Sequence, residues 1–126
     1  MVQIKRKLPD VTDDFVRSVE VLRVVDGDTV DVLVDLGFST HRKIRVRLDG
    51  IDAPETRTRD AAEKLRGYAA KSWLEEKLVQ AKVVSIKTIK SGSTGKYGRY
   101  LGVLYADGVN LNQRMVKEGL AKVYGS

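Results

Sequence analysis

Asp26-Gly27-Asp28-Thr29 sets two carboxylates inside a run of turn-forming residues. Asp and Gly favour turns in their own right, so a plain β-turn accounts for the run taken alone. The same turn can also aim both carboxylates at one point, and hard cations such as calcium collect several carboxylate and carbonyl oxygens. A second acidic pair follows in Asp52-Ala53-Pro54-Glu55-Thr56, with Arg47 five residues ahead of Asp52. Along an unbroken strand Arg47 and Asp52 would face opposite ways, because side chains alternate. Leaving the strand re-aims the later residue, and Pro54 fixes the backbone at that exit. Lys96-Tyr97-Gly98-Arg99 reads plainly as a basic loop tip, yet it offers an ammonium, a phenol and a guanidinium to phosphate oxygens. The planar arginine fork suits phosphate better than lysine does. Gly119-Leu120-Ala121-Lys122-Val123 reads as a helix end returning to a sheet, with Lys122 adding positive charge.

These stretches lie far apart in sequence, so a folded scaffold has to bring them together. A chain of 126 residues is one ordinary domain, and 42% hydrophobic content is enough for a core. Twenty-three Lys and Arg against 17 Asp and Glu give a net charge of +6. That balance favours a polyanionic partner, although charge also serves solubility. With no cysteine, disulfides, zinc thiolates and a thiol nucleophile are excluded. His41, the one histidine, sits among Ser39, Thr40, Arg42 and Lys43 in what reads as a solvated turn. No apolar run approaches membrane-spanning length. Lys5-Arg6-Lys7 precedes no apolar stretch, so no signal peptide is expected. A cytoplasmic enzyme, prokaryotic or phage-encoded and acting in the host cell, is the corresponding expectation.

Residues 1–17 read as an N-terminal arm or frayed edge strand, and residues 18–126 as the domain. Val19–Val25 is rich in β formers, and Val30, Val32 and Val34 alternate with Asp31, Leu33 and Asp35. Ile44, Val46 and Leu48 alternate with Arg45 and Arg47 in a third strand. Asp60 and Glu63 have capping-box spacing and predict a helix running to about Lys77. Its apolar stripe is read as Leu65, Ala69 and Trp73, flanked by Tyr68 and Leu74, with Trp73 as core and Gly67 permitting close packing. A fourth strand covers Val83–Ile89, a Gly-rich loop Ser91–Gly98, and a fifth strand Tyr100–Tyr105. After the Ala106-Asp107-Gly108 turn, a short helix, Leu111–Lys117, stops at Gly119. The order β-β-β-α-β-β-α predicts a mainly β, α+β fold. Specifically, it is a five-stranded OB-fold Greek-key barrel, with one longer helix between strands 3 and 4 and a short C-terminal helix.

Taken in order, Val24-Val25-Asp26-Gly27-Asp28-Thr29, Arg47, Asp52-Ala53-Pro54-Glu55-Thr56, Lys96-Tyr97-Gly98-Arg99, Tyr105-Ala106-Asp107-Gly108 and Gly119-Leu120-Ala121-Lys122-Val123 resemble the staphylococcal nuclease family over roughly residues 19–123. The resemblance implies a calcium-dependent phosphodiesterase that cuts the 5′ P–O bond of DNA and RNA, single strands above all, and leaves 3′-phosphates. It implies Asp28, Asp52 and the main-chain carbonyl of Ala53 as calcium ligands, with Asp26 just outside them holding the ion's waters. Glu55 matches the general base, Arg47 and Arg99 the arginines on the scissile phosphate, and Lys96 and Tyr97 the ligands of a neighbouring phosphate. The chain departs from the family pattern in a longer loop between the second and third strands and in ending at Ser126, before the family's C-terminal helix. Tyr124 also stands one position short of the base-stacking tyrosine.

The chemistry supports this set on its own terms. Attack on a phosphodiester adds charge to an already anionic centre, which a divalent cation and two guanidiniums offset. An ionised carboxylate can accept the proton of the attacking water. Asp26, Asp28, Asp52 and Glu55 would repel one another without positive charge nearby. A monomer follows as the simplest state. The alternatives are a non-catalytic OB-fold module that binds nucleic acid or a protein ligand, and a structural protein with an incidental basic surface. Retention of the whole carboxylate and arginine set argues against the first, and the second leaves the carboxylates unexplained.

Overall fold

Alternating valines place the strands, and the computed structural model describes residues 15–89 and 100–124. In chain order the elements are β1 (Phe15–Asp26), β2 (Thr29–Asp35), β3 (His41–Leu48), β4 (Ile51–Asp52) and α1 (Ala61–Gln80). They are followed by β5 (Val84–Thr88), β6 (Tyr100–Ala106), β7 (Val109–Asn110), α2 (Leu111–Lys117) and β8 (Lys122–Val123). β1, β2 and β3 form an antiparallel meander, β5 pairs with the start of β1, and β6 pairs with β5. A parallel pairing of β3 with β6 closes these five strands into the expected OB-fold barrel. β4 pairs with β8, and β7 extends β6 by a short hairpin. Strands of two residues carry no periodicity, which is why they escape a reading of the sequence. Phe15–Arg17, placed by the sequence in the arm, pair with Thr88–Ile86.

Inward-facing Val30, Val32 and Val46 are fully buried with Leu48, Ile86 and Leu104. Leu74 of α1 and Leu111 and Met115 of α2 complete the core. Asp60 caps α1 as its spacing predicts, its carboxylate accepting the N–H groups of Ala62 and Glu63 at 3.0 and 3.2 Å. The helix continues three residues past Lys77 to Gln80.

The face of α1 differs from the expected stripe. Gly67, Ala70, Leu74 and Leu78 are buried, whereas Leu65 is 74% and Tyr68 48% exposed. Trp73 packs against the core from its edge, partly buried. The helix lies so close to its neighbours that its contact face needs small residues. A Cβ on Gly67 would stand 2.5 Å from the Glu55 carbonyl oxygen, a distance no side chain tolerates. Gly67 therefore permits the close packing its place in a helix suggested.

At the β6–β7 turn, the Asp107 carboxylate accepts N–H bonds from Val83 and Lys82, which hold its carboxyl below the ordinary carboxylate range. Gly119, at φ +75°, ends α2 as expected. Among the described residues, no helix is long and apolar enough to cross a membrane.

Candidate functional site

Three segments converge at one end of the barrel: the β1–β2 turn, the exit of β3 through β4, and residues 53–56. Gly27 lets them approach. A Cβ there would lie 2.7 Å from the Ala70 Cβ and 3.0 Å from the Ala53 Cβ. The glycine between the two aspartates thus answers to packing.

Asp28 is buried. Its Oδ1 accepts the Thr29 hydroxyl at 3.0 Å, and its Oδ2 accepts the Ala53 N–H at 2.8 Å. The second bond fixes the segment carrying Asp52 and Ala53 to a turn 25 residues earlier. The Asp28 main-chain carbonyl meanwhile accepts the Leu48 N–H at 2.7 Å.

Arg47 leaves β3 level with Thr29 of β2. Its Nη1 donates to the carbonyls of Ile51 at 2.8 Å and Leu48 at 3.1 Å, which lock the guanidinium in place. The same Nη1 stands 3.4 Å from Asp28 Oδ2, and Nη2 stands 3.4 Å from Asp52 Oδ1. Arg47 and Asp52 therefore do meet, because the turn at Asp49-Gly50 breaks the strand between them. The Arg47 side chain is 14% exposed, and that of Asp52 is 43% exposed. One carboxylate is thus sequestered while the other opens to solvent.

Asp26 and Thr56 join the ends of two motifs. Asp26 Oδ1 accepts the Thr56 hydroxyl at 2.6 Å and its N–H at 3.4 Å. Thr56 is buried and holds the 53–56 loop to the end of β1. Glu55 sits exposed on that loop. With Asp52 it lines a cleft of about 370 Å³ whose far walls are the start of α1 and the stretch from Gly119 to Lys122. Lys96, Tyr97 and Arg99 lie outside the described residues.

Two contributors carried no role in the sequence reading. The Tyr124 ring centroid is 5.9 Å from the Arg47 guanidinium carbon, within cation–π range, and the Tyr124 N–H donates to the Gly50 carbonyl at 2.9 Å. Asn112 of α2 is buried; its amide donates to the carbonyls of Asp49 at 2.9 Å and Gly102 at 3.1 Å, while its Oδ1 accepts the Leu104 N–H. It thereby pins the turn that delivers Asp52. Such contacts span up to 63 residues, and no local pattern announces them.

Two carboxylates share one guanidinium here, so the three groups together carry a formal charge of −1. An all-oxygen donor set with an unmet negative charge fits a hard cation. Among the described residues, no three His, Cys, Asp or Glu side chains gather closely enough to hold an ion. The protein's share would be the two carboxylates and a main-chain carbonyl. The remaining positions would fall to water or substrate.

A family model described as "Staphylococcal nuclease homologue" matches residues 45–126. An "Uncharacterized endonuclease" of Escherichia coli O157:H7 is 39% identical over 106 residues, covering 82% of this chain and 59% of that protein. "Micrococcal nuclease" of Shigella flexneri is 37% identical over 114 residues, covering 83% of this chain and 57% of its own length. "Endonuclease YncB" of Bacillus subtilis (strain 168) is 32% identical over 119 residues, covering 94% and 50%. The chain thus spans between 50% and 59% of the length of these relatives. The family model begins at Arg45, after Asp26 and Asp28. The pairwise alignments reach both residues, since the smallest, at 82% of the chain, leaves out about 23 residues, fewer than precede Asp26.

Proposed function

Because the chain belongs to the staphylococcal nuclease family, we propose that it is a nuclease which hydrolyses phosphodiester bonds in DNA and RNA with a bound calcium ion. The observation that carries this reading is Arg47 held 3.4 Å from both Asp28 and Asp52 by two main-chain carbonyls. A guanidinium fixed in this way meets a phosphate without reorganising, which is where electrostatic catalysis gains most.

Asp28, Asp52 and the Ala53 carbonyl would hold the ion, and Asp26 would stand just outside them. When bound, calcium offsets the negative charge that gathers on the phosphate during attack. Arg47 and Arg99 grip the scissile phosphate, with Lys96 and Tyr97 on its neighbour. Glu55, exposed beside Asp52, takes a proton from water as the water oxygen bonds to phosphorus. The P–O5′ bond then breaks, its oxygen takes up a proton, and a 3′-phosphate and a 5′-hydroxyl remain. Single strands are the favoured substrates, and the protein works as a monomer.

The test is incubation of labelled single-stranded and duplex DNA and RNA with the protein, with calcium or with a chelator, followed by electrophoresis and end-group analysis. Calcium-dependent fragments ending in 3′-phosphate are expected. Intact substrate, with binding retained, would convert the reading to a nucleic-acid-binding module.

A further inference from the structure

β3 carries a cation at every second residue, Lys43, Arg45 and Arg47, while Val46 and Leu48 between and beyond them turn into the core. Same-face neighbours on a strand are about 6.8 Å apart, two residues at about 3.4 Å each. Asp31 of β2 stands opposite Arg45, and Arg23 of β1 stands opposite Asp31 on its other side. One carboxylate therefore lies among three cations.

The Asp31–Arg45 bond holds the Asp31 carboxyl below its ordinary value, with Lys43 and Arg23 adding to the effect. Both Asp31 oxygens bind Arg45, Oδ1 to Nε at 2.7 Å and Oδ2 to Nη2 at 3.0 Å. That pairing occupies two of the five N–H donors of a guanidinium and leaves three for another acceptor. Lys43, Arg45 and Arg23 are exposed, so the surplus charge faces solvent. A structural ion pair needs one cation per carboxylate. Around Asp31 there are two more than that, aligned with Arg47, and Glu20, across Leu33 from Lys43, is the carboxylate of the neighbouring row.

We propose that the outer face of β1–β3 is a track for a single-stranded phosphodiester backbone, with Lys43 and Arg45 binding the phosphates next in line to the one at Arg47. The proposal rests on the nuclease reading for what Arg47 holds. Asp31 is a positioning residue, fixing the plane of the Arg45 fork. An extended single strand suits the spacing, since its phosphates can separate to about twice the 3.4 Å rise of a stacked strand.

The test is fluorescence anisotropy with labelled oligothymidylates of two and six nucleotides, in chelator so that nothing is cut, across a salt series. Lys43→Gln with Arg45→Gln is compared with wild type and with Lys64→Gln and Lys71→Gln on α1, which remove the same charge elsewhere. Melting curves confirm that each variant is folded. For the six-nucleotide strand the track variant should lower the slope of log affinity against log salt by about 1.4, at about 0.7 per lost phosphate contact. It should also lose most of the affinity that wild type gains from two to six nucleotides. A wild-type slope in the track variant, or an equal fall in the α1 variant, overturns the track. If wild type binds along the track but cuts nothing with any divalent metal, the nuclease reading fails and the track stands.

Discussion

Two aspartate–arginine arrangements draw their arginines from the same strand, β3, and they differ in how well their charges are matched. Arg45 meets Asp31 fork to fork at 2.7 and 3.0 Å, one guanidinium for one carboxylate. Arg47, two residues on, stands 3.4 Å from each of two carboxylates and saves its shorter bonds for main-chain carbonyls. Charge-assisted bonds run shorter than 3.4 Å when geometry is free to optimise. The first arrangement is complete between its two members. The second is held open by the backbone around it, with negative charge left over. An incomplete pair that the fold refuses to close is the stronger sign of a site.

The sharpest way to break this contrast is Arg47→Ala. Turnover per folded molecule should fall by at least roughly 10²-fold, the scale for one lost transition-state donor. Single-turnover rates near wild type would leave the open pair without a catalytic role. Calcium comes next. At a hundred times its dissociation constant it should stabilise the fold by about 2.7 kcal/mol, because only the assembled site binds it. That rise in melting temperature should vanish in Asp28→Asn, and its absence in wild type would remove the metal from the reading. Thr56→Val then tests whether Asp26 is held as the geometry has it. Loss of the 2.6 Å bond to a carboxylate should cost about 2 kcal/mol in chemical denaturation, and an unchanged midpoint would show the bond contributes nothing.

The smallest effect belongs to the closed pair. The Asp31 carboxyl is lowered from 3.8, chiefly by its bond to Arg45. Its contribution to stability is therefore fully present above pH 3.8 and is lost as pH falls through the lower folded value. Arg45→Gln should flatten that acid limb. The Arg45 side chain is 44% exposed, so solvent screening keeps the effect under about 1 kcal/mol. A larger loss at neutral pH would mean that the pair organises more than itself.

Much of this was legible in the residues. Alternating valines marked β2, Asp60 marked the start of α1, and the aspartates, Arg47 and Glu55 stood out by type and spacing. The buried face of α1 did not, because Gly67 and Ala70 contribute almost nothing to an apolar pattern while Leu65 and Tyr68, which do, face water. Thr56 and Asn112 escaped for another reason. Thr56 reaches Asp26, 30 residues away, and Asn112 reaches Asp49, 63 residues away, and hydrogen-bonding side chains look alike in sequence whatever they reach. The roles of Lys96, Tyr97 and Arg99 rest on the sequence alone.

The pairing of β4 with β8 has a consequence for synthesis. Asp52 lies opposite Lys122, and the Gly50 carbonyl is closed by the Tyr124 N–H. A nascent chain emerging from the ribosome can form the meander bearing Asp28 and Arg47 early, but Asp52 has no strand to dock on until residues 122–124 arrive. On the nuclease reading, a fragment released before that point lacks hydrolytic competence. On the same reading, a single proteolytic nick between α2 and β8 disarms the folded chain.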